Sequence, residues 1–140
     1  MGEFSGRKMK QQRKKKKWMK TKYKVRALRL IERKDPFQGA PQAKGIVIKK
    51  TGVEQKQPHS GIIKVVRVQL LKNGKEISAF CPRSGAINVI NEHDEVLVEG
   101  MGGSQRGPVG SMPGIKWKVS KVNNIPLESL RTGKSKKAAR

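Results

Sequence analysis

The chain has 140 residues, of which 34% are hydrophobic and 4% aromatic, enough for one modest domain with a small core and extensions outside it. Lys and Arg number 33 against 10 Asp and Glu, a formal charge of +23 that favours a polyanionic partner through phosphate neutralisation and counterion release, nucleic acid before anionic membrane. The single cysteine, Cys81, excludes an internal disulfide and a multi-cysteine zinc site, and no apolar run approaches the roughly 20 residues of a membrane-spanning helix.

Residues 1–44 form a basic extension whose only acids are Glu3, Glu32 and Asp35. The start is Lys-dominated and lacks the apolar stretch of a signal peptide. Met19, Tyr23, Ala27 and Leu30 step at helical spacing, which predicts a helix with a thin apolar stripe that forms on a surface. Pro36, Gly39 and Pro41 then stop it in a turn. Residues 45–130 read as strands. "GIVIKK" is short and β-branched; "KVVRVQLL" places Val66, Val68 and Leu70 on one face. Asn73-Gly74 predicts a two-residue type I′ turn before the return strand "EISAFCP". "AINVIN" reads as a short helix or an extended piece. "EVLVEGM" and "IKWKVSKV" complete five strands, the last alternating Ile115, Trp117 and Val119 against Lys116, Lys118 and Ser120. That count predicts an all-β core, a small barrel or a sandwich, and five strands is the count of an OB-fold barrel. Residues 131–140 are a basic tail, expected to lack fixed structure when free.

Chemical motifs are few. Glu92, Asp94, Glu95 and Glu99 beside His93 invite an acid–base or metal reading, but a solvated turn pairing with the chain's own lysines accounts for them better. Cys81 with His59 or His93 could make a nucleophile pair, yet Cys81 ends a strand pattern where a small buried hydrophobe fits. Gly102 to Gly107 has Walker A spacing, but Pro108 and Val109 stand where Lys and Ser or Thr are required. What remains is a long glycine-rich loop carrying Arg106, between two strands whose connection often contacts ligand in OB-folds. "KQPHS", residues 56–60, reads equally as a plain turn and as a contact surface.

The run "PFQGAPQAKGIVIKKTGVEQKQPHSGIIKVVRVQLLKNGKEISAF", followed by "NEHDEVLVEGMG" and "MPGIKWKVSKVNN", resembles the universal small-subunit ribosomal protein family of the decoding centre. That family is numbered twelve in bacteria and twenty-three in eukaryotes. The resemblance covers about Pro36 to Leu130 and is nearest the eukaryotic type. Departures from the family pattern are His59 for Asn, Gly61 for Ala, Ile63 for Arg, and Ser111 for an acid.

The resemblance implies a structural constituent of the small ribosomal subunit that contributes to translational accuracy and is not an enzyme. It implies an OB-fold barrel with an extension threading into rRNA, and two loops facing the decoding site. The first loop is Lys56, Gln57, Pro58, His59 and Ser60; the second is Ser111, Met112, Pro113 and Gly114. Pro58 is also the position hydroxylated in many eukaryotic members. The rRNA contacts expected are Lys14, Lys15, Lys16, Lys17, Trp18, Lys20, Lys22, Arg26, Arg106 and Lys116. No cofactor or metal site of the chain's own is expected; any Mg2+ nearby would be held by the rRNA. Partners implied are small-subunit rRNA, the mRNA codon and A-site tRNA region, neighbouring ribosomal proteins and, transiently, elongation factors, with no membrane. The location implied is the cytoplasmic ribosome, with passage through the nucleus and nucleolus during assembly. The competing reading is a free OB-fold RNA-binding or initiation factor.

Overall fold

The structure is a computed structural model that describes residues 2–137, and it divides into two units between Gly39 and Ala40. In the first unit the single helix expected from the stripe is three: α1 (Ser5–Met19), α2 (Thr21–Ala27) and α3 (Leu30–Lys34). The chain is extended at Lys20 (φ −75°, ψ 120°) and left-handed at Arg29 (φ 48°). Nothing in the sequence opposes these breaks. None of the three helices has a side-chain N-cap or buries a residue. Lys and Arg recur at i,i+4 along α1, which weakens a helix further. Trp18 and Tyr23 meet edge to face across the Lys20 break, with ring centroids 5.3 Å apart. The stopping turn forms where expected. There the Asp35 carboxylate accepts hydrogen bonds from the Phe37 N–H at 3.1 Å and the Gly39 N–H at 3.2 Å.

The second unit holds β1 (Gln42–Glu54), β2 (Ile62–Leu70), β3 (Glu76–Phe80), a 3-10 turn (Ala86–Val89), β4 (Glu95–Gly100), β5 (Trp117–Val122), a two-residue β6 (Ile125–Pro126) and α4 (Leu127–Arg131). Strand order is β3-β2-β1-β4-β5-β6, and a parallel β3–β5 pairing closes the first five into a ring. This is the OB-fold barrel that the family resemblance implies, the closed form of the two architectures the strand count allows. The interior is built from paired β-branched residues: Val47 opposite Val68, Val68 opposite Ile77, Val66 opposite Ala79, Val98 opposite Val119, and Val96 opposite Val122. All are 4% exposed or less.

Local departures from the simple strand pattern have identifiable causes. Ile48 is left unpaired where the β1–β2 register slips between Val47 and Lys49, a bulge that turns β1 and lets it run for 13 residues. A second slip at Leu97/Val98 leaves Ser120 unpaired, so Val119 and Val122 face inward together and the strict alternation expected for β5 fails. The Asn73-Gly74 turn is longer than the two-residue form. Only Gly74 is left-handed (φ 67°), its N–H bonds to the Leu70 carbonyl, and the Leu70 N–H returns to Lys75 O at 2.9 Å. Asn73 instead turns its side-chain oxygen back to the Lys75 N–H at 3.2 Å. "AINVIN" begins as the 3-10 turn.

The acidic segment is only partly the solvated turn expected. Glu95 pairs with Lys44 at 2.9 Å and Glu99 with Lys118 at 3.2 Å, as the charge balance suggests. Asp94 is instead buried and hydrogen-bonded. Its carboxylate accepts from the Asn91 N–H at 2.8 Å, from Asn123 Nδ2 at 3.1 Å and from Lys137 Nζ. It therefore ties the β4 approach to the segment after β5 and to the described end of the basic tail; residues 138–140 lie outside the described residues. Desolvation pushes the Asp94 carboxyl up, but the hydrogen bonds from Lys137, Asn91 and Asn123 and the Lys137 charge outweigh it, so it titrates below the usual carboxylate range. Among the described residues no three His, Cys, Asp or Glu side chains group to hold a metal, and no helix is long and apolar enough to cross a membrane.

A folded pKa below the unfolded value stabilises the protein above about pH 3.9, and the contribution disappears as pH falls through the folded pKa. Asp94→Asn is accordingly expected to cost about 1–3 kcal/mol at pH 7. Urea midpoints of variant and native chain should converge below about pH 3.9. A gap that stays constant down to pH 2 would contradict the assignment.

Candidate nucleic-acid interface

Strand β2 is buried on both faces at its middle, where Val65 and Val66 point in opposite directions. Val66, Val68 and Leu70 fill the barrel, while Ile63 and Val65 point the other way, beside Val53 and Phe80 with which they are paired. This outer face is covered by Ile115, with Met101 and Met112 packed against it, all from the connection between β4 and β5. The glycine-rich connection is thus anchored at several points. The Met101 N–H bonds to Lys116 O at 3.0 Å, and the Met112 N–H to Pro108 O at 2.8 Å. At Gly107 (φ 143°) a side chain would meet the Ile115 carbonyl, so the backbone passes there only as glycine.

The β1–β2 turn sits beside this second cluster. Its base is closed by the Gln55 N–H donating to Gly61 O at 2.9 Å, and its tip by the His59 N–H donating to Lys56 O at 3.0 Å. The Gln57–Pro58 peptide is cis. Lys56, Gln57, Pro58, His59 and Ser60 are all exposed. Gln55, half-buried at the base, donates through Nε2 to the Ser111 carbonyl at 3.4 Å. The structure therefore brings together the two segments singled out in the sequence, Lys56–Ser60 and Ser111–Gly114. In the second, Ser111 and Gly114 are exposed while Met112 and Pro113 are half-buried.

Cations lie in the two turns or within five residues of them in sequence. Lys56, Lys64, Arg106 and Lys116 are exposed, and none forms an ion pair among the described residues. Sequence reasoning missed Gln55, because nothing local marks a residue whose partner lies 56 positions away. Ile63, which stands where the family pattern has Arg, is one of the apolar residues that hold the loops' common floor, a role its β-branched neighbour Val65 could have signalled. Cys81 is buried, and desolvation raises its thiol to about 12 against a small opposing pull from Lys50, so it is protonated and inert at neutral pH.

The other expected contacts lie in the first unit. Lys14, Lys15, Lys16, Lys17 and Trp18 are carried by α1, Lys20 by the break, and Lys22 and Arg26 by α2. All are exposed, and Trp18 is held by Tyr23. A helix with this charge and no buried face lacks internal stabilisation from packing.

Truncating the shared floor should separate loop order from barrel order. Ile115→Ala is expected to cost about 2–4 kcal/mol. Amide exchange should accelerate at Met112 and Ile115, while Val47 and Val98 in the barrel keep their protection. Uniform acceleration across the barrel would show that the floor is not a separate element.

The family model described as ribosomal protein S12/S23 matches residues 30–140, from the start of α3 through the barrel and its two joined turns, so that the chain belongs to the S12/S23 family of small-subunit ribosomal proteins, structural and non-enzymatic constituents whose partners are rRNA and other ribosomal proteins.

Proposed function

We propose that the chain works at the decoding centre, with Lys56–Ser60 and Ser111–Gly114 facing the paired codon and anticodon in the A site. The observation that carries this reading is the joining of the two turns beside one apolar floor, with the exposed cations Lys56, Arg106 and Lys116 in or near them in sequence. Such a surface suits A-form RNA, whose wide minor groove is recognised by shape, phosphates and 2′-hydroxyls rather than by deep base readout. Lys56, Arg106 and Lys116 neutralise phosphates and set position. Pro58 and the Ser60 hydroxyl offer a rigid apolar ring and a small donor–acceptor at the tip.

No bond is made or broken. The protein biases the closing of the small subunit around a correct pair, where about 1.4 kcal/mol is a tenfold change in the equilibrium. The exposed Pro58 ring is accessible to a hydroxylase, and elongation factors meet this surface as tRNA arrives. The resemblance of Pro36–Leu130 supports the eukaryotic type, hence a cytoplasmic ribosome reached through the nucleus and nucleolus. On this reading the basic α1 and α2 thread into rRNA through Lys14, Lys15, Lys16, Lys17, Trp18, Lys20, Lys22 and Arg26.

Two outcomes follow. Lys56→Thr removes a phosphate contact that favours the closed subunit, so misreading of near-cognate codons should fall about two- to tenfold while subunit yield is unchanged. Unaltered misreading in viable cells would oppose the decoding role. Deleting residues before Trp18 should impair incorporation into the small subunit, because docking energy comes largely from phosphate contacts. Normal subunit yield would refute that, and complete release of the full chain from subunits at high salt would favour a free RNA-binding factor.

A further inference from the structure

We infer that Gln55 is a positioning residue that couples the two loops, so that the shape of Lys56–Ser60 is set jointly with that of Ser111–Gly114; the inference deepens the decoding reading and rests on it for its functional consequence. Three observations converge on this side chain. Its N–H closes the first loop onto Gly61 O at 2.9 Å, which anchors residue 55 at the point where the exposed turn begins. Its Nε2 crosses to the second loop and donates to the Ser111 carbonyl at 3.4 Å. Its Oε1 occupies the space where a side chain at position 61 would start, so the amide can take this path only because residue 61 is glycine. The link between the two loops runs through the base of the first.

The acceptor is a main-chain carbonyl. The Ser111 side chain is therefore free to vary without breaking the link, whereas the amide at 55 and the absent side chain at 61 are not. The common floor holds the two segments near each other, and Met112, next to Ser111, packs on it. The floor alone leaves the segments able to shift along its flexible methionines; the Gln55 bond selects one relative position. A change at the base of the first loop is thus felt at the second, although the two are distant in sequence.

The test uses the 15N-labelled full chain with Gln55→Glu, Gly61→Ala, both together, and Ser111→Ala. Gln55→Glu keeps the shape and removes the donor. Gly61→Ala is tolerated by the backbone, since Gly61 lies outside the left-handed region, but it evicts the Gln55 amide, which is the end of a flexible side chain. Each single change should speed exchange of the Met112 and Ile115 amides about two- to tenfold, the scale of one exposed hydrogen bond. The double variant should match either single one, because both remove the same contact. Ser111→Ala should leave exchange at Met112 and Ile115 at its native rate, because the acceptor is the main-chain carbonyl, and thermal midpoints should stay together.

Unchanged exchange at Met112 after Gly61→Ala, or effects that multiply in the double variant, would overturn the coupling. Misreading measured on ribosomes carrying the same set should show the same non-additivity. If exchange reveals the coupling but no variant, Lys56→Thr included, alters misreading, the decoding reading fails and the coupling stands. If Lys56→Thr alters misreading while exchange shows independent loops, the coupling alone fails.

Discussion

Burial of the outer face of β2 is the constraint on which the functional end of the molecule depends. In a small barrel most strands need cover only on the inside, yet Val65 and Val66, neighbours on opposite faces, are both fully buried. The inside is supplied by the closed ring. The outside, Ile63 and Val65 with Val53 and Phe80, must be supplied by something else, and Ile115, Met101 and Met112 do so. Each fully buried aliphatic side chain contributes about 1.5–3 kcal/mol, enough to fold a glycine-rich segment back over the strand instead of leaving it in solvent. The loop after β4 lands beside the loop before β2 as a direct result.

Ring closure sets the level at which this happens. Lys50, Val66, Ala79 and Trp117 lie in one paired row across four strands, so the start of β5 is held opposite the middle of β2. The segment entering β5 consequently has only a short distance to travel from Ser111 to Trp117. A barrel left open between β3 and β5 would free that segment and separate the two loops. Charge is carried on a surface already built: among the described residues Lys56, Lys64, Arg106 and Lys116 form no ion pair, and exposed cations of this kind favour a polyanionic partner.

Much of the barrel was legible in the sequence because β-branched residues alternate with polar ones over short runs, and the strands fell where that pattern lies. The bulges at Ile48 and Ser120 were not, since a register slip depends on the partner strand and leaves no local mark. The N-terminal stripe misled in a different way. Met19, Tyr23, Ala27 and Leu30 carry helical spacing, but a stripe with nothing to pack on does not keep one axis through Lys20 and Arg29. Asp94 looked like one acid among four, and only its distant partners Asn123 and Lys137 separate it from Glu92. The two loops were readable as segments through their resemblance to a family. Their union through Gln55 was not, because it joins residues with no shared motif.

A density map of small subunits containing this chain, with mRNA and a cognate A-site tRNA bound, tests the account most directly. The account predicts both loops on one side of the codon–anticodon helix, with Pro58, Ser60 and Pro113 within roughly 4 Å of RNA and Gln55 bridging to Ser111 behind them. Density that turns either loop away from the A site, or places the two loops on separate RNA elements, would contradict it.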